Sequence, residues 1–240
     1  MPGITRIEKI AKRLSNDVDA IEFAPPVEYV YNPLSYAWKP HREYLRRYAR
    51  EGIEALLLGM NPGPWGMAQT GVPFGEVGHV REFLGIEEPV GKPEREHPKR
   101  PIEGFACTRS EVSGRRLWGW VEERFGRPDP FFDRFFVWND CPLAFLEDSG
   151  RNRTPDKLPK AEREALGAVC DRALRSIVKE LKPQRLIGVG GHARKRLETI
   201  FGDEFEVSVI LHPSPASPAA NRGWAPQVDK QFAAMGIEFD

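Results

Sequence analysis

Four short apolar runs, set between longer stretches with helical periodicity, constrain this fold more than any other feature. They cover 53–59, 135–139, 185–190 and 205–211. Each is too brief, and too rich in branched or aromatic residues, to be a helix, so each reads as a buried strand. Apolar residues at 4, 7, 10, 14, 18 and 21 recur at helical spacing and mark one buried face. Similar patterns run over 38–50 and 114–125. The longest covers 159–181, with Pro183 as its stop. A shorter helix over 191–201 has Gly202 at its expected end. Strands alternating with helices imply a parallel sheet covered by helices on both faces. No internal repeat or low-complexity linker divides the chain. The expectation is a single α/β domain over 1–240, its N-terminal helix within 1–24.

Composition narrows the class. Gly and Pro number 22 each, nearly a fifth of 240 residues, against a background of roughly 12%. That excess signals many turns and long ordered loops, where sites usually sit. No apolar run approaches the ~18 residues that span a bilayer, and the first residues lack the apolar core of a signal peptide. Cys107, Cys141 and Cys170 are odd in number and widely spaced, which suits neither a disulfide framework nor a Cys-x-x-Cys metal knuckle. The five histidines lack ligand spacing, so no metal and no cofactor are expected. A cytoplasmic protein follows, nucleoid-associated if bacterial. Basic and acidic residues balance at 35 each, which argues against a broadly basic nucleic-acid binder. Locally, however, Lys39, Arg42, Arg46, Arg47 and Arg50 face only Glu43 between 39 and 50. Arg185, Arg194, Lys195 and Arg196 stand without an acid between 184 and 197. These are either basic patches or solvated helix faces balanced by neighbours.

Ligands of open α/β sheets bind beyond the carboxyl ends of the strands, so the segments after residues 59, 139, 190 and 211 hold the candidates. The first, from Gly59 and Met60 to Gly75, carries five glycines and three prolines in all. Prolines fix φ, and glycines allow close backbone approach to a ligand. Asn61 can orient a water or a polar ligand edge, or satisfy its own turn. Phe74 is either a core plug or a stacking platform. At the second strand end, Asn139 offers a donor and an acceptor side by side, suited to a uracil-type edge, or caps the next turn. Asp140 is a candidate base. The third end, from Gly188 to Ala193, fits G-x-G-x-x-A but lacks the following acid of a dinucleotide site. The amides at Gly191 and His192 could still meet a phosphate. The fourth end is His212 followed by a proline-studded loop, able to project an imidazole into a cleft. Taken singly, each residue has an ordinary structural use. Their combination is what carries information.

Gly-Met-Asn-Pro-Gly-Pro at 59–64, Thr-Gly-Val-Pro-Phe-Gly at 70–75, Asn-x-Cys-Pro-Leu at 139–143 and His-Pro-Ser-Pro at 212–215 occur in that order. Together they resemble the single-strand-selective monofunctional uracil-DNA glycosylase family, a branch of the uracil-DNA glycosylase superfamily, over about residues 25–235. The resemblance implies a four-stranded, mainly parallel sheet flanked by helices. It implies a base-excision repair enzyme that flips uracil, and 5-hydroxymethyluracil, out of single- or double-stranded DNA and leaves an abasic site; a monomer is the simpler expectation for its oligomeric state. No lysine sits in these motifs, so no lyase step is expected.

Residue by residue, the resemblance makes Asn61 the orienter of the attacking water and His212 the group that stabilises the departing uracil anion. Asn139 then reads the base edge, Phe74 stacks on it, and Met60 joins them in the substrate pocket. Gly63 lies beside C5, where its missing side chain leaves space for a substituent. The loop from Pro213, through Ser214, Pro215, Ala216 and Arg222, to Gly223 is then expected to enter the DNA as a wedge. Ala216 stands where better-known members carry arginine. The iron–sulfur branches need four cysteines and do not fit. Two other classes compete: a non-catalytic damaged-DNA-binding module of the same fold, and an enzyme acting on free nucleosides.

Overall fold

Every residue of Ala55–Gly59 and of Phe135–Asn139 is buried, a pattern available only to strands covered on both faces. The structure, a computed structural model, describes residues 5–239. It has seven strands: β1 (Tyr29–Tyr31), β2 (Ala55–Gly59), β3 (Phe135–Asn139), β4 (Ala144–Leu146), β5 (Asn152–Arg153), β6 (Arg185–Val189) and β7 (Val207–Ile210). The helices are α1 (Arg6–Asp19), α2 (Pro33–Tyr36), α3 (Trp38–Tyr48), α4 (Met67–Thr70), α5 (Val77–Glu82), α6 (Val112–Phe125), α7 (Pro128–Phe132), α8 (Lys160–Leu181), α9 (Gly191–Phe201), α10 (Pro218–Asn221) and α11 (Trp224–Ala234). Residues 1–4 of the expected N-terminal helix, and residue 240, lie outside the described residues.

The four expected strands form one sheet in the order β3-β2-β6-β7, every pair parallel. It is thus wholly rather than mainly parallel. The chain passes from β2 to β3 on one side, then crosses to β6 on the other. That reversal opens a crevice at the carboxyl ends of the strands. Gly59 and Asn139 are paired neighbours at this edge. A second sheet, β1-β4-β5, is antiparallel and was not expected, because strands of two or three residues are too short to show alternation.

Local chemistry explains the helix ends. Thr5 caps α1: its hydroxyl accepts from the Glu8 N–H at 3.3 Å while the Glu8 carboxylate accepts from the Thr5 N–H. Ile7, Ala11, Leu14 and Val18 form its buried stripe, and α1 packs against α8. Lys182 ends α8 in a left-handed conformation, φ +47°, just before Pro183. Gly188 lets α9 lie close on β6, since a Cβ there would come within 2.3 Å of the Arg194 backbone nitrogen.

The basic segments resolve toward the second of their two readings. Arg46 pairs with buried Glu8, and Arg50 with Asp129 and Asp133. Arg194 pairs with Glu198, and Arg196 with Asp140 and Asp171. Apart from Glu198, these partner acids are distant in sequence, which a local charge count cannot reveal.

Candidate active site

The loop between β2 and α5 is held by side chains from all sides. The Tyr36 hydroxyl donates to the Ala68 carbonyl at 2.6 Å, and buried His41 meets the Gly71 carbonyl through Nδ1 at 2.8 Å. Gln69 donates to the Pro64 and Pro101 carbonyls and accepts from the Glu103 and Gly104 amides. Thr70 donates to the Gly75 carbonyl at 2.9 Å. A segment so braced has little conformational freedom left to lose on binding a ligand.

Asn61 follows β2. Its Nδ2 donates to the Leu143 carbonyl at 3.2 Å and approaches that of Pro62 at 3.5 Å. The amide is thereby oriented, leaving Oδ1 as an acceptor for a water proton. Across the crevice, the Asn139 amide donates to the Met67 sulfur at 3.2 Å, a weak acceptor that leaves its polar edge available. Phe74 adopts φ +53°, a region costly to a residue with a bulky side chain. Both Asn139 and Phe74 lie over Gly59: a Cβ there would sit 2.4 Å from Asn139 Oδ1 and 2.6 Å from the Phe74 ring.

His212 reaches the same space from the end of β7, its ring 6.0 Å from that of Phe74. The Ser214 backbone N–H donates to Nδ1 at 3.1 Å, so Nδ1 is an acceptor and the neutral ring carries its proton on Nε2. Burial lowers its pKa to about 4. The imidazole is therefore an uncharged donor at neutral pH.

A cavity of about 580 Å³ gathers Met60, Asn61, Gly63, Phe74, Asn139, His212, Ser214 and Pro215, all of them singled out by sequence. Trp65, Glu111 and Thr154 also line it. Such a volume falls in the range of small-molecule sites. A second hollow shares Trp65 and is lined by Lys99, Arg100 and Arg109. The Arg109 guanidinium lies 4.4 Å from the Trp65 ring centroid.

Residues 46–233 match the family model described as the uracil DNA glycosylase superfamily. The chain belongs to that superfamily. It is 47% identical over 228 residues to the single-strand selective monofunctional uracil DNA glycosylase of Mus musculus, covering 94% of this chain and 82% of the mouse protein. The protein of the same name from Rattus norvegicus is 48% identical over 228 residues, with the same two coverages. The crystal structure of Pedobacter heparinus SMUG2 superposes with a TM-score of 0.67 at 18% identity, covering 95% of this chain and 97% of that one. At that identity the likeness bears on the fold alone.

Within this uracil DNA glycosylase superfamily member, some expected site residues stand elsewhere. His192 faces another cavity, beside Asp140 and Arg196, while Gly191 is exposed at the start of α9. Pro213 is buried, whereas Ala216 and Arg222 are exposed. Asp140 is held by Arg196 at 3.0 Å and does not line the cavity that holds Asn61 and His212. The space expected beside Gly63 is not open. A Cβ on Gly63 would lie 1.6 Å from Glu111 Oε1, and one on Gly66 would lie 1.8 Å from Oε2. Burial, with Glu76 adding repulsion, raises the Glu111 pKa to about 7.

Sequence reasoning missed Glu111, which looks like an ordinary acid before a helix. It also missed Arg116 on α6. Arg116 donates through Nη1 to the Pro213 and Ser214 carbonyls, at 3.0 and 3.3 Å, and through Nη2 to Asn221 Oδ1 at 2.8 Å. One guanidinium thus fixes the loop after His212. Only the tertiary fold brings it there.

Proposed function

We propose that this protein is a monofunctional uracil-DNA glycosylase that hydrolyses the N-glycosidic bond of a uracil flipped out of DNA and leaves an intact abasic site. The observation that carries the reading is the meeting of Asn61 with an imidazole fixed as an uncharged Nε2–H donor, His212, in one cavity. The names of its curated relatives support the same chemistry.

Bond cleavage builds positive charge on the sugar and negative charge on the base. The His212 Nε2–H stabilises the departing uracil anion at O2, a preorganised donor of the kind typically worth ~3 kcal/mol. Asn61 Oδ1 orients the attacking water. It cannot act as a strong base, which is tolerable when the leaving group departs largely before attack. Phe74 stacks on the base and Asn139 reads its Watson–Crick edge, rejecting cytosine because the exocyclic amine would leave buried groups unpaired. The target leaves the stack most readily where it is mismatched or unpaired. Single- and double-stranded DNA carrying uracil or 5-substituted uracil is the substrate class. The loop from Ser214 to Arg222 holds the gap, Trp65 with Lys99, Arg100 and Arg109 tracks the flanking strand, and the enzyme acts in the cytoplasm as a monomer.

The test is incubation in EDTA with end-labelled DNA bearing one uracil, comparing gels with and without hot alkali. Cleavage only after alkali, lost in Asn61→Ala, is expected. Wild-type protein that binds this DNA yet leaves uracil intact in both single strands and duplex would overturn excision in favour of a binding module.

A further inference from the structure

The small antiparallel sheet delivers polar side chains to the cavity that holds Asn61 and His212. In β5, Asn152 opposes Leu146 and Arg153 opposes Phe145. Successive strand residues point to opposite faces. Asn152 and Thr154 accordingly both line that cavity. Arg153, between them, turns away to pair with Glu147 and donates to the Lys157 carbonyl at 2.7 Å. The partner strand β4 starts one residue after Leu143, whose carbonyl anchors the Asn61 amide. Both asparagines are thus tied to the β4–β5 hairpin, Asn61 by that hydrogen bond and Asn152 by belonging to it. The Asn152 Oδ1 is buried, yet among the described residues no hydrogen bond reaches it. Buried polar atoms are nearly always partnered, so an acceptor left bare on a cavity wall points to something the cavity receives.

A nucleotide flipped out of a DNA strand offers almost no donors. Its phosphate and sugar oxygens only accept, and its uracil has a single polar hydrogen, on N3. In the binding mode proposed above, on which this inference rests, Asn139 takes that hydrogen. Water is the donor that remains. We infer that Asn152 is a further catalytic residue, its Oδ1 accepting from one hydrogen of the attacking water while Asn61 Oδ1 accepts from the other. A water held through both hydrogens has lost its freedom to rotate and directs its lone pairs away from the two amides, toward C1′. Its oxygen bonds to C1′ as the C1′–N1 bond breaks, and that bonding pair leaves with the base. Neither amide takes a proton. The proton that the water sheds passes to solvent, and the uracil departs as the anion that His212 stabilises.

The experiment follows uracil excision from single-stranded DNA in single turnovers at saturating enzyme, for wild type, Asn152→Ala, Asn152→Leu and Asn152→Asp. Thermal unfolding is the folding control, and affinity is read on DNA carrying one uncleavable 2′-fluorinated deoxyuridine. Asn152→Ala should slow excision about tenfold or more, with affinity for the fluorinated DNA kept within about threefold. Asn152→Leu keeps the bulk without the acceptor and should show the same loss, which serves where the smaller variant does not fold. Asn152→Asp keeps an acceptor oxygen and should hold the rate to within about threefold of wild type. A crystal structure of wild type on the fluorinated DNA should show one water about 3 Å from both Asn61 Oδ1 and Asn152 Oδ1. Wild-type rates in the folded Ala or Leu variant would overturn the inference while leaving uracil excision standing. So would a loss confined to affinity, or a complex in which Asn152 Oδ1 meets DNA instead of that water. Wild-type protein inactive on uracil would overturn the functional reading itself, and this inference with it.

Discussion

His212 enters its cavity already deprotonated, and two predictions follow from that one residue. Removing the donor with His212→Ala should lower kcat by about 10²–10³-fold, measured in single turnovers, with DNA affinity changed far less. Because its pKa lies near 4, kcat/KM should show no limb from this histidine between pH 5.5 and 8. An imidazole that instead had to be charged would give a rate falling as pH rises through the ordinary histidine range. Glu111 moves the other way. It titrates near 7 when folded and near 4.5 in its unperturbed state, so between those values the folded protein holds the extra proton. Its contribution to stability is fully present below about pH 4.5 and is lost as pH rises through about 7. Glu111→Gln should therefore raise the melting temperature more at pH 8 than at pH 5, by calorimetry, and an equal shift at both would refute the assignment. Asn61, Asn139, Phe74 and His212 were legible in the sequence because each follows or ends a strand or sits in a rigid loop. Glu111 and Arg116 were not, since an acid before a helix and an arginine within one have countless unremarkable uses.

At the scale of elements, the loop from Pro213 to Asn221 depends on α6 through a single guanidinium. Arg116→Ala frees two backbone carbonyls and the Asn221 amide oxygen. On the proposed function, in which this loop meets DNA, KM for DNA should rise about tenfold while kcat falls less, because the Ser214 N–H can still donate to His212. On the same loop, Ala216→Arg puts a cation at an exposed position. It should tighten binding at low salt and steepen the plot of log affinity against log salt by about 0.9 for one added duplex phosphate contact. An unchanged slope would place residue 216 away from the backbone. The strand over 135–139 was read with its observed bounds because its first four residues are apolar or aromatic and polar Asn139 closes it. The strand expected over 205–211 begins only at Val207, since the edge strand is half-exposed and its ends fade into loop. The β1-β4-β5 sheet escaped notice because two or three residues carry no period.

For the whole molecule, balanced charge and a deeply apolar sheet set the terms. Leu57, at the centre of β2, is buried between β3 and β6. Leu57→Ala should cost about 3 kcal/mol, which in a chain of this size lowers the melting temperature by on the order of 10 °C. The α/β class and the parallel pairing were legible at this scale because buried parallel strands have to be apolar on both faces. The long-range ion pairs that engage part of the basic segments were not, since Arg46 with Glu8 and Arg50 with Asp129 meet only after folding.

Gly59 has a consequence for anyone wishing to redesign this cavity. Asn139 and Phe74 cross directly above its α-carbon, so the floor beneath the Asn139 amide and the Phe74 ring is bare main chain. No side chain can be enlarged or trimmed there to tilt one of those groups without moving the other. Evolution and engineering alike are left with the walls: a lineage that changes its preferred base has to do so from positions such as 63, 111 and 154, and its family tree should branch at those sites while residue 59 stands still.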